Sequence, residues 1–422
     1  MCVEGRNGAA RGRGRLLAVH RLRKRVTSTR LPGCHLPLIV LLCLCTLGSG
    51  LSIEGAETRD PKATKQVLGE QYINCRCLDG TLGAFYPNLN PAGNDTFVIY
   101  LDGGGECTDE ASCAGRAKTK LGSSTSMDDE VYMNYGVLDT RAEANPNFAD
   151  ANFVRVGYCS GDLFLGSRQD PTTGSELYFQ GRYIVHGVLD TLSLKYGLLD
   201  AKTIVFGGES AGGIGSLALM DEMAESLRVM GSKAKFLGSI QGGYYFLNDD
   251  VYEGSNPPPS NYIPWGSKAF PDYIEFWGAE DALPAACTAK ETEDPWKCIL
   301  ADYNFPYLST PVFVAEAFTD KVVLPLHTGM PGVPPNLTVD EKKFTYGWSL
   351  KMSASLQKNV MDHQSPGGLF AAACWTHTSF EEGRLVQGTT HTDALAKWVR
   401  GDTVKLLDTC GTFLCNPTCP LS

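Results

Sequence analysis

Two periodicities of apolar residues alternate along this chain. Thr96 to Leu101 (TFVIYL) and Asn152 to Tyr158 (NFVRVGY) are short β-rich runs that predict strands. From Phe179 to Tyr196 the apolar residues Ile184, Val188 and Leu192 fall instead at helical spacing. Asp200-Ala201 punctuates, Thr203 to Phe206 predicts a buried strand, and after a glycine-rich turn a helix opens at Ala211. Pro311 to Ala317 (PVFVAEA) predicts a late core strand, and helical patterns resume over Tyr346 to Val360 and Thr392 to Arg400. Strands alternating with helices and no internal repeat predict an α/β fold, with a mostly parallel central sheet flanked by helices in one large domain.

Between Tyr244 and Asp302 the alternation gives way to Pro, Gly and aromatic residues, including Pro257-Pro258-Pro259 and Pro264-Trp265. That is long for a plain connection and predicts a substrate-facing insertion or lid.

The first 50 residues have a different composition. They hold nine of the 37 Lys and Arg and only one of the 47 acids, Glu4. An apolar run from Leu36 to Leu47 follows the basic stretch, and Gly48, Ser49 and Gly50 come next. This is the order of a secretory signal, with cleavage expected near Gly50 and residues 51–422 as the mature domain. A type II membrane anchor is the alternative, for which the run is short of the roughly 20 residues that span a bilayer. An Arg-rich organelle transit peptide is another.

Without this segment 28 basic and 46 acidic residues remain, a net charge of −18. Such a surface excludes nucleic acid as the expected partner. It does not exclude an acidic polysaccharide, since salt screens long-range repulsion within about 10 Å. With 43% hydrophobic and 20% charged residues, disorder is not expected.

Of the 15 cysteines, four precede the expected cleavage and eleven remain, an odd number. In an oxidising compartment most should form disulfides. Cys107/Cys113, Cys287/Cys298 and the cluster Cys410, Cys415 and Cys419 are close enough in sequence for local staples. No His adjoins that cluster, which weighs against zinc. The sequons at Asn94 and Asn336 agree with secretion.

Gly208-Glu209-Ser210-Ala211-Gly212 is a G-x-S-x-G between a predicted strand and a predicted helix, the context of a nucleophile elbow. Glycines are needed where a serine sits on a tight strand-to-helix turn, and the Ala211 N–H at the helix start faces a developing oxyanion. Gly103-Gly104-Gly105 ends an earlier strand and offers the N–H groups of Gly104 and Gly105 as further oxyanion donors. In this arrangement the acid and the histidine follow the serine along the chain. Asp320, after the Pro311 to Ala317 run, fits the acid. His327, His363, His377 and His391 are available as the base, and position alone divides His377 and His391 almost evenly. H-E-x-x-H, phosphate-loop and dinucleotide motifs do not occur, so neither a metal nor another cofactor is expected.

At these residues the chain resembles the pectin acetylesterase family, which also contains Notum-type protein deacylases. The segments that carry the resemblance are Cys77-Leu78-Asp79-Gly80, Leu101-Asp102-Gly103-Gly104-Gly105, Tyr158-Cys159-Ser160-Gly161-Asp162, Phe179-Gln180-Gly181-Arg182, Gly208 to Gly213 and Cys415-Asn416-Pro417-Thr418-Cys419. The resemblance implies an α/β-hydrolase-like fold and a Ser210, Asp320, His377 triad, choosing His377 through Cys374-Trp375-Thr376-His377. The C-terminal motif is similar to the pectin acetylesterase branch, which implies a secreted enzyme removing O-acetyl groups from a cell-wall polysaccharide. A Notum-like deacylase of a lipid-modified protein, thioester or lactone hydrolysis, and a catalytically silent binding protein are the alternatives. The chain departs from plant members in having Glu106 after the glycine run, where they tend to carry Trp, and Thr378 after the histidine.

Overall fold

A computed structural model describes residues 59–254, 259–362, 367–380, 383–409 and 411–419. The predicted leader and His363 lie outside the described residues. The central sheet has nine strands. They are β1 (Gln66–Val67), β2 (Ala84–Asn88), β3 (Thr96–Leu101), β4 (Asn152–Val156), β5 (Thr203–Glu209), β6 (Lys235–Gln241), β7 (Val312–Asp320), β8 (Gly368–Thr376) and β9 (Lys405–Leu407). Their order across the sheet is β9-β8-β7-β6-β5-β3-β4-β2-β1. Neighbours from β9 to β4 run parallel, while β2 and β1 add an antiparallel edge. The expected strand-helix alternation therefore fails at that edge, and again at two small antiparallel pairs outside the sheet, Lys62–Thr64 with Glu130–Tyr132 and Leu385–Val386 with Thr389–Thr390.

Both sheet faces are covered, as a parallel sheet requires. Along β3, Phe97, Ile99 and Leu101 enter one core and Val98 and Tyr100 the other. In β7, Val312, Val314 and Phe318 face one side, and Phe313, Ala315 and Ala317 the other. The side-chain period of two thus fills two cores from one strand. On the first face, α2 (Gly181–Lys195) buries Ile184, Val188 and Leu192. On the second, α8 (His391–Arg400) buries Leu395 and Trp398 behind a Thr390 cap. The other helices used below are α1 (Glu110–Arg116), α3 (Ala211–Ala218), α4 (Met220–Val229), α5 (Phe270–Trp277), α6 (Val323–Thr328) and α7 (Val339–Leu356).

Several boundaries move from the sequence expectation. Strand β5 continues through Gly207 and Gly208, which have no side chain to extend an apolar pattern but pair with Ser239 and Ile240. Strand β7 runs on to Asp320, so the acid ends the strand and does not follow it. Helix α7 starts at Val339, where Thr338 and Glu341 form a capping box, not at Tyr346. Strands β6 and β8 were not expected: a glycine breaks KFLGSIQ, and GLFAAACWT is rich in alanine, a weak strand former. The insertion carries α5 and short helical turns.

Four disulfides join described residues, Cys77–Cys159, Cys107–Cys113, Cys287–Cys298 and Cys374–Cys419. Two are the expected local staples. Cys419 of the C-terminal cluster reaches 45 residues back to Cys374 on β8. Among the described residues no helix is long and apolar enough to cross a membrane.

Candidate active site

The parallel register brings five strand ends to one edge of the sheet. Leu101 lies opposite Gly208, Glu209 opposite Gln241, and Thr376 opposite Asp320. Ligands of open α/β sheets bind outside such carboxyl ends.

Ser210 follows β5 and caps α3 with φ 53° and ψ −123°, a left-handed conformation that a non-glycine residue adopts only under constraint. Its N–H donates to Gln241 O at 2.9 Å, and its carbonyl accepts from Ile214 N at 3.0 Å. The glycines around it are sites of close approach. A Cβ on Gly208 would lie 2.6 Å from both Leu101 O and Gly212 O, and one on Gly212 would overlap the Leu101 carbonyl. Helix α3 therefore starts directly against β3, leaving Ser210 partly exposed at the turn.

The glycine run after β3 closes on this serine, since a Cβ on Gly103 would sit 2.9 Å from Ser210 Cβ. Gly104 and Gly105 have φ of 150° and 66°. Arg116 Nη2 donates to Gly104 O at 2.6 Å and to Gly105 O at 3.2 Å. Across a trans peptide the N–H opposes the C=O, so this contact turns the Gly105 N–H away from Arg116.

Asp320 is fully buried. Its Oδ1 accepts from Val322 N and Val323 N at 2.8 and 2.9 Å, the first turn of the chain entering α6. Its Oδ2 lies 2.6 Å from His377 Nδ1 and 3.3 Å from the Tyr245 hydroxyl. Because the carboxylate only accepts, Nδ1 carries the proton, and Nε2 is left as the free base. Nε2 is buried without a hydrogen-bond partner, so no hydrogen bond joins His377 to Ser210 here. Burial raises the Asp320 carboxyl, but the His377 charge, its hydrogen bond and the two backbone N–H groups outweigh it and hold the carboxyl below 3.8. Burial likewise opposes a charged His377, yet the Asp320 charge and hydrogen bond keep it above 6.5. The chain after β6 joins these groups to the serine: a Cβ on Gly242 would lie 2.7 Å from His377 O, one residue beyond the carbonyl that holds Ser210 N.

Of the rival histidines among the described residues, His327 stands near enough to feel the charges of Asp320 and His377, and His391 does not. His391 sits in the core against the Phe313, Phe370 and Phe380 rings, and burial pushes it down to about 4. His327 accepts a stacked Trp265 ring at 3.7 Å, and burial pushes it down to about 3.

Sequence reasoning missed two neighbours of the pair. Tyr245 reaches Asp320 from the loop after β6, and its hydroxyl also donates to Gly242 O at 2.6 Å. Glu316, four residues before Asp320 on β7, is fully buried and accepts from Tyr244 N and Ala317 N at 3.0 and 2.9 Å. Burial and the Asp320 charge raise its carboxyl well above 4.5. The i, i+4 spacing on a strand was the available signal, since it puts both acids on one face.

A model of the family described as Pectinacetylesterase matches residues 58–420. The chain belongs to the pectinacetylesterase family. Among its relatives, pectin acetylesterase 7 of Arabidopsis thaliana is 28% identical over 364 residues, covering 82% of this chain and 89% of the relative. Palmitoleoyl-protein carboxylesterase notum1a of Danio rerio is also 28% identical, over 375 residues, covering 82% and 70%. The crystal structure of the Wnt deacylase Notum from Drosophila superposes with a TM-score of 0.74 at 23% identity, covering 85% of this chain and 99% of that one. The α/β-hydrolase-like fold and a carboxylic ester hydrolase activity follow for this family member.

Proposed function

We propose that this chain is a secreted esterase that removes O-acetyl groups from a polysaccharide such as pectin, with Ser210, His377 and Asp320 as its catalytic residues. His377 Nε2 takes the Ser210 proton as Oγ attacks the acyl carbonyl, and the N–H groups of Gly104, Gly105 and Ala211 hold the oxyanion. The sugar alcohol leaves with the proton from His377, and water then releases acetate from the acyl-serine by the same steps. The four disulfides support an oxidising compartment.

The observation that carries the substrate class is a pair of unlike hollows, one lined by Ile214, whose N–H meets the Ser210 carbonyl, and the other by Glu209 and Gly103, which adjoin Ser210. One is apolar, lined by Leu163, Ile214, Tyr245, Trp265, Phe270 and Leu300, with a cavity of about 10 Å³. That volume holds about one water, which suits an acetyl methyl and not a fatty chain. The other, of about 140 Å³, runs from Gly103 and Glu209 past Asp102, Arg155 and Lys120 to the rings of Tyr86 and Tyr158. Charged and hydroxyl groups beside aromatic faces suit a sugar ring. Acetate release from acetylated pectin, compared with cleavage of a palmitoleoylated peptide, tests this: pectin turnover without peptide cleavage is expected, and the reverse would assign the chain to protein deacylation.

The Asp320 contact also fixes the acid limb of the pH profile. With His377 held above 6.5, the base is protonated and idle below that value, so kcat/KM should climb with pH through a midpoint above 6.5. Asp320→Asn should lower that midpoint and reduce kcat by on the order of 10⁴-fold. A wild-type midpoint below 6 would contradict the pairing.

A further inference from the structure

Glu106 and Trp265 lie 159 residues apart, one after the glycine run and the other in the Pro-rich insertion, yet Trp265 Nε1 donates to Glu106 Oε1 at 2.9 Å. Glu106 is only 6% exposed, and burial pushes its carboxyl up to about 6. It is held rigidly from the next residue on. Cys107 is tied to Cys113, donates its N–H to Gly161 O at 3.0 Å, and accepts from Trp277 Nε1 at 2.9 Å.

The indole is fixed from its other sides as well. It stacks on His327 at 3.7 Å with 16° between planes, and meets Tyr245 edge-on at 5.2 Å. His327 is in turn anchored through Nδ1 to Ile263 O at 3.0 Å, two residues before Trp265. The same Tyr245 reaches Asp320. Trp265 is therefore a fixed wall of the apolar hollow, linked through Tyr245 to the catalytic pair and held by one hydrogen bond and three ring contacts, the third with Phe270 at 5.7 Å.

We propose that Trp265, positioned by Glu106, sets the length of the acyl group that the site accepts and confines it to acetyl-sized groups. The proposal rests on the esterase reading above and concerns the acyl side of that same site. The indole lines a cavity of only about 10 Å³, so an acyl chain that grows toward it must displace the ring and break its contact with Glu106. Removing the indole turns wall into free volume continuous with the hollow.

The test is kcat/KM on p-nitrophenyl acetate, butyrate and octanoate for wild type, Trp265→Ala, Trp265→Phe, Glu106→Ala and Glu106→Gln, with folding checked by melting temperature. Wild type should favour acetate. Trp265→Ala should raise the octanoate-to-acetate ratio by roughly tenfold or more, the scale on which an apolar pocket discriminates added methylenes. Trp265→Phe, which keeps an aromatic ring but loses the N–H, should give an intermediate ratio and carries the test should the alanine variant not fold. Glu106→Ala should move the ratio in the same direction. Glu106→Gln, whose amide oxygen still accepts from the indole, should restore the wild-type ratio, which a merely structural carboxylate would not predict. Folded Trp265 variants that hydrolyse acetate with an unchanged ratio overturn the proposal and leave the esterase reading intact. A folded wild type inert on all three esters, no better than Ser210→Ala, overturns both.

Discussion

Ser210→Ala should lose at least on the order of a hundredfold in kcat/KM on acetyl esters, approaching ~10⁶-fold where the chemical step limits turnover. The substitution removes only Oγ, and the surroundings of the residue predict that little else changes. The backbone at φ 53° is held by Ser210 N to Gln241 O and Ile214 N to Ser210 O, neither of which involves the side chain. Alanine keeps the Cβ that packs against Gly103. Folding should therefore be preserved while nucleophilic attack is lost. Ser210→Gly sharpens the separation, because a left-handed non-glycine residue costs about 1–3 kcal/mol that glycine does not pay. It should be equally inactive and melt higher than wild type. An alanine variant with near wild-type turnover would remove Ser210 from the mechanism, whatever the fold.

The candidate nucleophile was legible because its pattern is local. Strand, glycine, serine, glycine and helix occupy one stretch of chain, and the structure builds the elbow there. Asp320 was legible only as an acid near a late strand. What distinguishes it is the β7–β8 register that sets Asp320 against Thr376, one residue before His377, and register is not written in either segment alone. Position could not separate His377 from His391, and the family motif chose between them. In the fold His377 follows the carboxyl end of β8 and meets Asp320, while His391 opens a helix and packs its ring into the core. Tyr245 and the Glu106–Trp265 contact escaped notice because each is made across 75 or more residues by side chains with no local pattern. The alanine-rich β8 escaped for a different reason. Its strand state comes from pairing with β7 and β9 on both sides, and tertiary context overrides the propensity of its residues.

Gly207→Ala should be the most damaging single substitution to folding among the elbow glycines. A Cβ there would overlap the Ser239 carbonyl oxygen and lie 2.6 Å from its carbon, and Ser239 is the ladder partner of Gly207 on β6. The clash is with backbone in the middle of a parallel sheet, so no rotamer change relieves it. Strands β5 and β6 must separate, breaking the ladder that also carries Ser210 N to Gln241 O. A loss above about 4 kcal/mol is expected, which is exceptional for one methyl group and a large part of the ~5–15 kcal/mol that holds a typical domain together. Gly115 on α1 is the control, since a Cβ there meets nothing within 4 Å. With its helical backbone undisturbed, Gly115→Ala should be neutral or stabilising by up to about 1 kcal/mol. Urea midpoints of the two variants, with soluble yield as the first readout, separate steric exclusion from a general intolerance of alanine. A Gly207→Ala protein that unfolds at the wild-type midpoint would mean that β5 and β6 do not approach as closely as the elbow requires, and the placement of Ser210 on that turn would fall with it.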